Sequence, residues 1–250
     1  MKSYYFLLGM PRSGNTLLGS IINQNPEVSV TANTILTDII YQIDLIKDYL
    51  IYQNFPDERS LDNIIKNVFN NYYKDWKAKH IIDRGVWGTP GNLDSLKTII
   101  KKPKFIILYR PVLECLASFI KNEKPKNIEE RCYELMQDNG TIGKPLWSIK
   151  NVMQEKEDYI LIHYSDLVKK PLEQINKIYS FLNINNFKHK FKNFDDFSVN
   201  NIKYNDSVLP SNLHKIRTKI IQRNKYKIED YLSPNIIKQY SNLDIVDNFV

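Results

Sequence analysis

Short apolar runs alternate along this chain with longer stretches in which apolar residues recur every three or four positions. The runs at 4–9, 80–84, 104–110 and 158–164 have few polar interruptions, which is typical of strands buried on both faces of a sheet. The 3.6-residue periodicity predicts helices near residues 16–25, 34–53, 61–77, 93–101, 112–122, 128–156, 171–184, 211–223 and 234–241. Ser60 is the expected N-cap of the third. The alternation predicts one α/β domain over residues 1–250, with a central, mostly parallel sheet flanked by helices.

The turn between the first strand and the first helix has the composition of a phosphate-binding loop. The segment GMPRSGNT at 9–16 places Gly9 and Gly14 at the spacing of the G-x-x-x-x-G nucleotide loop. Backbone N–H groups of such a loop and the dipole of the following helix favour a bound anion. Arg12 adds a cation for the same anion. Three neighbours are expected to add side-chain donors: Ser13, Asn15 and Thr16.

One position departs from the loops of ATP- and GTP-using enzymes. Those loops carry a Lys after the second Gly, and that Lys neutralises the outer phosphates, whereas this chain has Asn15. Thr16 keeps the hydroxyl position that binds Mg²⁺ in such loops. Phosphoryl transfer would therefore lack charge neutralisation. A sulfuryl group carries less negative charge during transfer, so both that Lys and a metal ion are less necessary.

The segment GMPRSGNTLL resembles the 5′-phosphosulfate-binding motif of sulfotransferases that use 3′-phosphoadenosine-5′-phosphosulfate (PAPS), Pro-Arg/Lys-Ser-Gly-Thr/Ser-Thr-Leu. The segment YRPVLECLAS resembles a second family element, in which an Arg at a strand end and a Ser eight residues later hold the 3′-phosphate. The resemblance implies a P-loop-like sulfotransferase fold and metal-independent transfer from PAPS to a hydroxyl or amine, releasing desulfated PAP. The nucleotide-binding residues that it implies are Pro11, Arg12, Ser13, Gly14, Asn15, Thr16, Leu17, Arg110 and Ser118.

Two further segments resemble family elements. HYSDLVKKP at 163–171 is similar to the family's Tyr-Glu-Asp-Leu segment, which implies that Tyr164 borders the adenine, although a core tyrosine explains it equally well. SVLPSNLHKIR at 207–217 resembles a basic loop that closes over the nucleotide, with His214 and Arg217 as its contacts. The alternative for this second segment is a solvated basic helix face.

Sulfuryl transfer also requires a base for the acceptor and cations for the leaving oxygen. Family members place the base either in a segment that corresponds to 30–34, which has no carboxylate here, or in one that corresponds to 80–88. We expect Asp83 to be the base, with Arg84 and Arg12 as catalytic cations. The alternative for Asp83 and Arg84 is a structural ion pair. Three other residues are candidates for this site: Trp87 as a pocket wall, and His80 and Asp38 as bases.

Composition narrows the choice of partners. The net charge of +7 suits an anionic ligand, but a compositional bias towards Lys explains it as well. The two cysteines, Cys115 and Cys132, lack metal-ligand spacing and are expected to be buried thiols in a reducing compartment. We find no signal peptide and no membrane-spanning run, so a cytoplasmic protein is expected. No nucleic-acid motif is present, and the expected acceptor is a small molecule, a glycan or a peptide.

Two other functions fit parts of this pattern. A small-molecule kinase with a modified phosphate loop would need a Lys near the loop, which has none, and an acidic Mg²⁺ ligand at a strand end, for which Asp83 is the candidate. A nucleotide-binding module without chemistry would explain why the family's usual bases are missing. Neither the acceptor nor the oligomeric state follows from the sequence.

Overall fold

The computed structural model describes residues 2–192, 197–208 and 227–245. Its central sheet has five strands: β1 (Ser3–Leu8), β2 (Val28–Asn33), β3 (His80–Arg84), β4 (Lys104–Tyr109) and β5 (Asp158–His163). They lie in the order β2-β3-β1-β4-β5, and every neighbouring pair is parallel. The predicted α/β class with a parallel sheet is confirmed.

Helices cover both faces of this sheet. In the described ranges they are α1 (Asn15–Ile22), α2 (Leu36–Leu45), α3 (Leu50–Asn54), α4 (Glu58–Tyr72), α5 (Pro90–Ile99), α6 (Val112–Glu123), α7 (Ile128–Met136), α8 (Gly143–Gln154), α9 (Tyr164–Lys169), α10 (Pro171–Leu182) and α11 (Pro234–Tyr240). A short antiparallel pair, β6 (Ser198–Val199) and β7 (Ile202–Lys203), lies outside the main sheet.

The two-sided burial of the strands divides the interior into two cores. Phe6 and Leu8 of β1 pack into a core with residues of α2, α4, α5, α6 and α8, while Leu7 between them packs with α1 and α10. Each such side chain contributes about 1.5–3 kcal/mol when it is fully buried. This explains why β1 has no polar alternation. It also means that consecutive strand residues face different helices.

Several predicted boundaries are wrong. The segment 34–53, predicted as one helix, contains α2, a 3₁₀ turn at Ile46–Asp48 and most of α3. The segment 128–156, also predicted as one helix, contains α7 and α8. The helix predicted at 61–77 begins at Glu58, because the side chain of Asp57, not that of Ser60, caps it by accepting the N–H of Ser60. Strand β2 was not predicted. The helix expected at 211–223 lies outside the described residues.

The topology determines where a ligand can be bound. In a parallel sheet the carboxyl ends of all strands lie at one edge, and ligands of open α/β sheets bind there. The segments that follow β3, β1 and β4 are therefore neighbours, since these strands are adjacent. They are the segment that begins at Gly85, the loop 9–14 and the segment that begins at Arg110.

Candidate active site

The loop between β1 and α1 has an unusual backbone. Gly14, the N-cap of α1, has φ of +100°, and Arg12 has φ of +71°. Glycine adopts positive φ without steric cost, whereas a residue such as Arg12 does so at a cost of about 1–3 kcal/mol. A Cβ atom at Gly14 would also lie 2.7 Å from the ring of Tyr164. Both the backbone and the close approach of Tyr164 therefore require glycine here.

Ser13 and Asn15 stabilise the loop from inside. The Ser13 hydroxyl donates to the carbonyl oxygen of Met10 at 2.6 Å. The Asn15 amide nitrogen lies 3.0 Å from the same oxygen, 3.2 Å from the Gly9 oxygen and 3.2 Å from Ser13 Oγ. Both side chains are buried. The expectation that they add donors for an anion is therefore wrong, because their donor hydrogens are used within the loop.

Four predicted nucleotide residues from distant parts of the chain meet at this loop. Arg12 Nε donates to Ser118 Oγ at 3.0 Å, and Arg110 Nη1 donates to the carbonyl oxygen of Arg12 at 2.9 Å. The guanidinium of Arg110 lies 4.8 Å from the centre of the Tyr164 ring, within cation–π distance. That ring is the one packed against Gly14. The cations Arg12 and Arg110 and the N-terminus of α1 are thus close together.

The sequence analysis missed a carboxylate in the same cluster. Arg110 Nε donates to Glu114 Oε2 at 3.0 Å, and only 10% and 13% of these two side chains is exposed. Glu114 lies in the first turn of α6, four residues after Arg110, which precedes the helix. That spacing is visible in the sequence and could have identified it. A ligand anion at Arg110 would share the guanidinium with Glu114.

The remaining predicted nucleotide residues occupy less informative positions. Thr16 and Leu17 lie in the first turn of α1 and are half-buried, and Leu17 packs against the core between α1 and α10. Pro11 lines the cleft described below. His214 and Arg217 lie outside the described residues.

The structure corrects the assignment of Asp83 as the base. Its side chain has no exposed surface. Its carboxylate accepts hydrogen bonds from Trp87 Nε1 at 2.9 Å, from the Thr34 hydroxyl at 3.1 Å and from the Tyr73 hydroxyl. Burial raises the pKa of Asp83 to about 6. Asp83 therefore cannot contact an acceptor directly, and no ion pair joins it to Arg84, which follows it on the opposite face of β3.

Two neighbouring candidates are corrected in the same way. Trp87 is fully buried and donates to Asp83, so it is not a wall of an open pocket. His80 lies at the opposite end of β3 from Arg84, about 13 Å away along the strand. Burial lowers the pKa of His80, and its ring stacks on Tyr5 at 6.1 Å. Its position is that of a structural histidine.

An open cleft of about 190 Å³ joins the phosphate-binding loop to Arg84 and α2. Arg84 contacts the Tyr204 hydroxyl at 3.2 Å through Nη1. Asp38 contributes an exposed carboxylate from the first turn of α2, and α8 contributes Lys144. The residues lining the cleft are Gly9, Pro11, Asn33, Thr34, Thr37, Asp38, Arg84, Gly85, Val86, Lys144 and Pro145. Lys144 was missed by the sequence analysis because it lies on α8, far along the chain from the loop.

Three further observations concern the state of the two cysteines, the grouping of possible metal ligands and the length of apolar helices. Cys115 and Cys132 are free and buried, and burial raises their pKa values to about 12 and about 11. In the part of the chain that the structure describes, no three His, Cys, Asp or Glu side chains are grouped as metal ligands would be. Within the same ranges, no helix has the length and apolar character needed to cross a bilayer.

Comparison with known sequences gives a consistent family match. The family model described as "Sulfotransferase family" matches residues 5–188. A Caenorhabditis briggsae protein that carries the name of a protein-tyrosine sulfotransferase is 24% identical over 189 residues. The match covers 72% of this chain and 65% of that protein, so the chain spans less than two thirds of that relative's length.

Solved structures with the same fold include two that this chain covers almost completely. The sulfotransferase domain of the Synechococcus PCC 7002 olefin synthase has a TM-score of 0.58 at 16% identity, over 98% of this chain and 90% of that one. A mouse sulfotransferase, SULT7A1 complexed with PAP, has a TM-score of 0.56 at 14% identity, over 100% of this chain and 87% of that one. At these identities the similarity concerns the fold.

Proposed function

The chain belongs to the sulfotransferase family, and on that premise we propose that it transfers a sulfuryl group from PAPS to an acceptor and releases PAP. The single observation that carries the proposal is the convergence of Arg12, Arg110, Ser118 and Tyr164 on the loop 9–14. The mouse structure with PAP supports the choice of nucleotide, since it has the same fold.

The nucleotide is expected to lie along the carboxyl edge of the sheet. The loop amides and the start of α1 bind the 5′-phosphosulfate, with Arg12 as the adjacent cation. Arg110 and Ser118 bind the 3′-phosphate, and Tyr164 borders the adenine. The other proposed nucleotide contacts are Pro11, Thr16, Leu17, His214 and Arg217.

The transfer itself is an in-line displacement at sulfur. The acceptor oxygen forms a bond to sulfur while the bond from sulfur to the bridging oxygen breaks, and the electron pair stays on the phosphate of PAP. Arg84 lines the cleft and Arg12 lies in the adjacent loop, and both are proposed to stabilise the negative charge that develops on that oxygen. Neither guanidinium acts as an acid, because arginine does not deprotonate in proteins. The reaction is proposed to need no metal ion.

Titration calorimetry with PAP, in buffer containing a chelator, tests the nucleotide assignment. We expect binding without divalent metal and a loss of about tenfold or more in Arg110→Ala, because a charge-assisted hydrogen bond contributes about 1.5–3 kcal/mol. Arg59→Ala, a change at an exposed arginine of α4, is the matched control and should bind normally. Binding of ATP with Mg²⁺ in preference to PAP would instead support the kinase. PAP binding without any turnover of PAPS would reduce the protein to a binding module.

A further inference from the structure

The burial of Asp83 leaves the proposed reaction without an assigned base. The base has to face the acceptor, and the cleft beside the phosphate-binding loop is where an acceptor has access to the sulfur. Of the described residues that line this cleft, Asp38 alone carries a carboxylate. This inference rests on the proposed function and concerns the acceptor half of the same site.

We propose that Asp38 is the catalytic base and that the cleft binds a hydroxyl acceptor between the phosphate-binding loop, Arg84 and α2. The Asp38 side chain is exposed to the cleft, and it makes no hydrogen bond or ion pair with any residue that the structure describes. Its oxygens are therefore available to accept a proton from an acceptor. This is the property that Asp83, with its three donors, lacks.

The local structure of α2 suits a negative charge at this position. Asp38 lies in the first turn of the helix, and Ile35 at the N-cap supplies no side-chain acceptor for the free N–H groups. The positive end of the helix dipole lies in this same turn. Thr37 lines the cleft next to it.

Thr34 has a different part in the cleft. Its hydroxyl donates to the buried Asp83, so towards the cleft it can only accept a hydrogen bond. An acceptor hydroxyl has one proton to donate, and four side chains with acceptor oxygens line the cleft: Asn33, Thr34, Thr37 and Asp38. Of these only Asp38 is a carboxylate, and only Thr34 is bonded to a second one. If Thr34 received the proton, it would have to pass its own to Asp83, and this relay is the competing route.

The proton balance of the step is simple. As the acceptor oxygen bonds to sulfur, its proton moves to a carboxylate oxygen of Asp38, and the bridging oxygen leaves with its electron pair on PAP. The protonated Asp38 then releases the proton to solvent, which reaches the open cleft.

The cleft also contains the cations Arg84 and Lys144, which disfavour a positively charged amine. A neutral hydroxyl is therefore the acceptor class that the cleft favours.

The test measures PAP release from PAPS with water, phenol or 4-nitrophenol as acceptor at pH 8, together with PAP affinity by calorimetry. In Asp38→Asn we expect PAP affinity within about threefold of wild type, and turnover with water and phenol lowered about 100-fold or more, the usual effect of losing a general base. The loss with 4-nitrophenol should be smaller, because this phenol is largely ionised at pH 8 and needs no base. Asp38→Glu should restore part of the rate.

Asp44→Asn is the matched control, since it makes the same change on α2 outside the cleft, and it should leave turnover unchanged. Normal turnover in Asp38→Asn would overturn the assignment, and so would an equal loss with phenol and 4-nitrophenol. If Thr34→Val lost turnover while Asp38→Asn kept it, the proton would travel to Asp83. A wild-type protein that binds PAP but turns PAPS over no faster than buffer would refute both the base and sulfuryl transfer, while leaving nucleotide binding intact. A wild-type protein that does not bind PAP would refute nucleotide binding as well. Loss of the base assignment alone requires an active wild type together with normal turnover in Asp38→Asn.

Discussion

Replacing Asp83 with Asn should change how the stability of the fold depends on pH. Asp83 is fully buried, and its three hydrogen-bond donors, Thr34, Tyr73 and Trp87, do not compensate for the loss of water around the ionised carboxylate. Its pKa is therefore raised from 3.8 to about 6. Asparagine has nearly the same shape, carries no charge at any pH, and keeps one oxygen to accept from Trp87. The hydroxyls of Tyr73 and Thr34 can rotate to accept from its amide.

The sign and size of the effect follow from proton linkage. Because the folded state holds the proton more tightly than the unfolded state, the contribution of Asp83 to stability is fully present below pH 3.8 and is lost as the pH rises through about 6. A shift of roughly two pH units corresponds to about 3 kcal/mol. About 2 kcal/mol of this falls between pH 4.5 and 7.5. Relative to wild type, Asp83→Asn should gain about that much stability as the pH rises across this range.

Urea unfolding followed by tryptophan fluorescence at several pH values measures this difference, since Trp87 is buried beside Asp83. Comparing the two proteins at each pH cancels the titration of all other groups. Tyr73→Phe, which removes one donor to the carboxylate, should make the loss of stability towards neutral pH larger than in wild type. Unfolding free energies of wild type and Asp83→Asn that run parallel from pH 4.5 to 7.5 would refute the reasoning.

Two further substitutions test the nucleotide site. Gly14→Ala places a Cβ 2.7 Å from the Tyr164 ring at a positive φ, so calorimetry should show PAP binding weakened about tenfold or more, and urea unfolding a loss of about 1–3 kcal/mol. Wild-type affinity in this variant would mean that the loop does not hold the nucleotide. Glu114→Gln removes the carboxylate that shares Arg110, so PAP should bind about three- to tenfold more tightly in the same calorimetric assay. Weaker binding would show that Glu114 orients Arg110 rather than competing for it.

The clustering of Arg12, Arg110, Ser118 and Tyr164 could be predicted from sequence because their positions depend on topology more than on detailed packing. The four buried strands are recognisable from their apolar runs, and parallel strands bring their carboxyl ends to one edge. Residues in the segments after those ends, such as Arg12 in the loop after β1 and Arg110 directly after β4, are therefore brought together by the fold. Predicting the position of Ser118 also required the helix α6, on which Ser118 lies at a position that faces the loop.

Strand β2 was missed although its first four residues, Val-Ser-Val-Thr, alternate apolar and polar side chains as a strand does. The alternation is short, and its polar positions resemble those of a loop. Thr31 is nevertheless buried, and its hydroxyl accepts the backbone N–H of Arg84 on the neighbouring strand. A threonine that bonds to the next strand is indistinguishable in sequence from one in a loop. Its partner lies about fifty residues away along the chain.

The base was assigned to the wrong residue for a related reason. Strand alternation predicts that Asp83 and Arg84 face opposite sides of the sheet, but it does not say which side carries the open cleft. That depends on long-range packing, because Tyr73 after α4 and Trp87 after β3 close over Asp83. Two adjacent charged residues at a strand end thus separate into a structural carboxylate and a cation of the cleft.

Asn15 shows why the loop departs from those of phosphoryl-transfer enzymes. At the position of the usual Lys, this side chain donates to two carbonyl groups of the loop and holds its backbone in shape. A residue turned inward for this purpose supplies no charge to a ligand. The positive charge must then come from other residues: Arg12 lies in the loop itself, Arg110 follows β4, and Arg84 ends β3. Because these cations come from three segments next to the loop, they suit the proposed nucleotide, in which a 5′-phosphosulfate and a 3′-phosphate project from one ribose, with a separate cation for each anionic group.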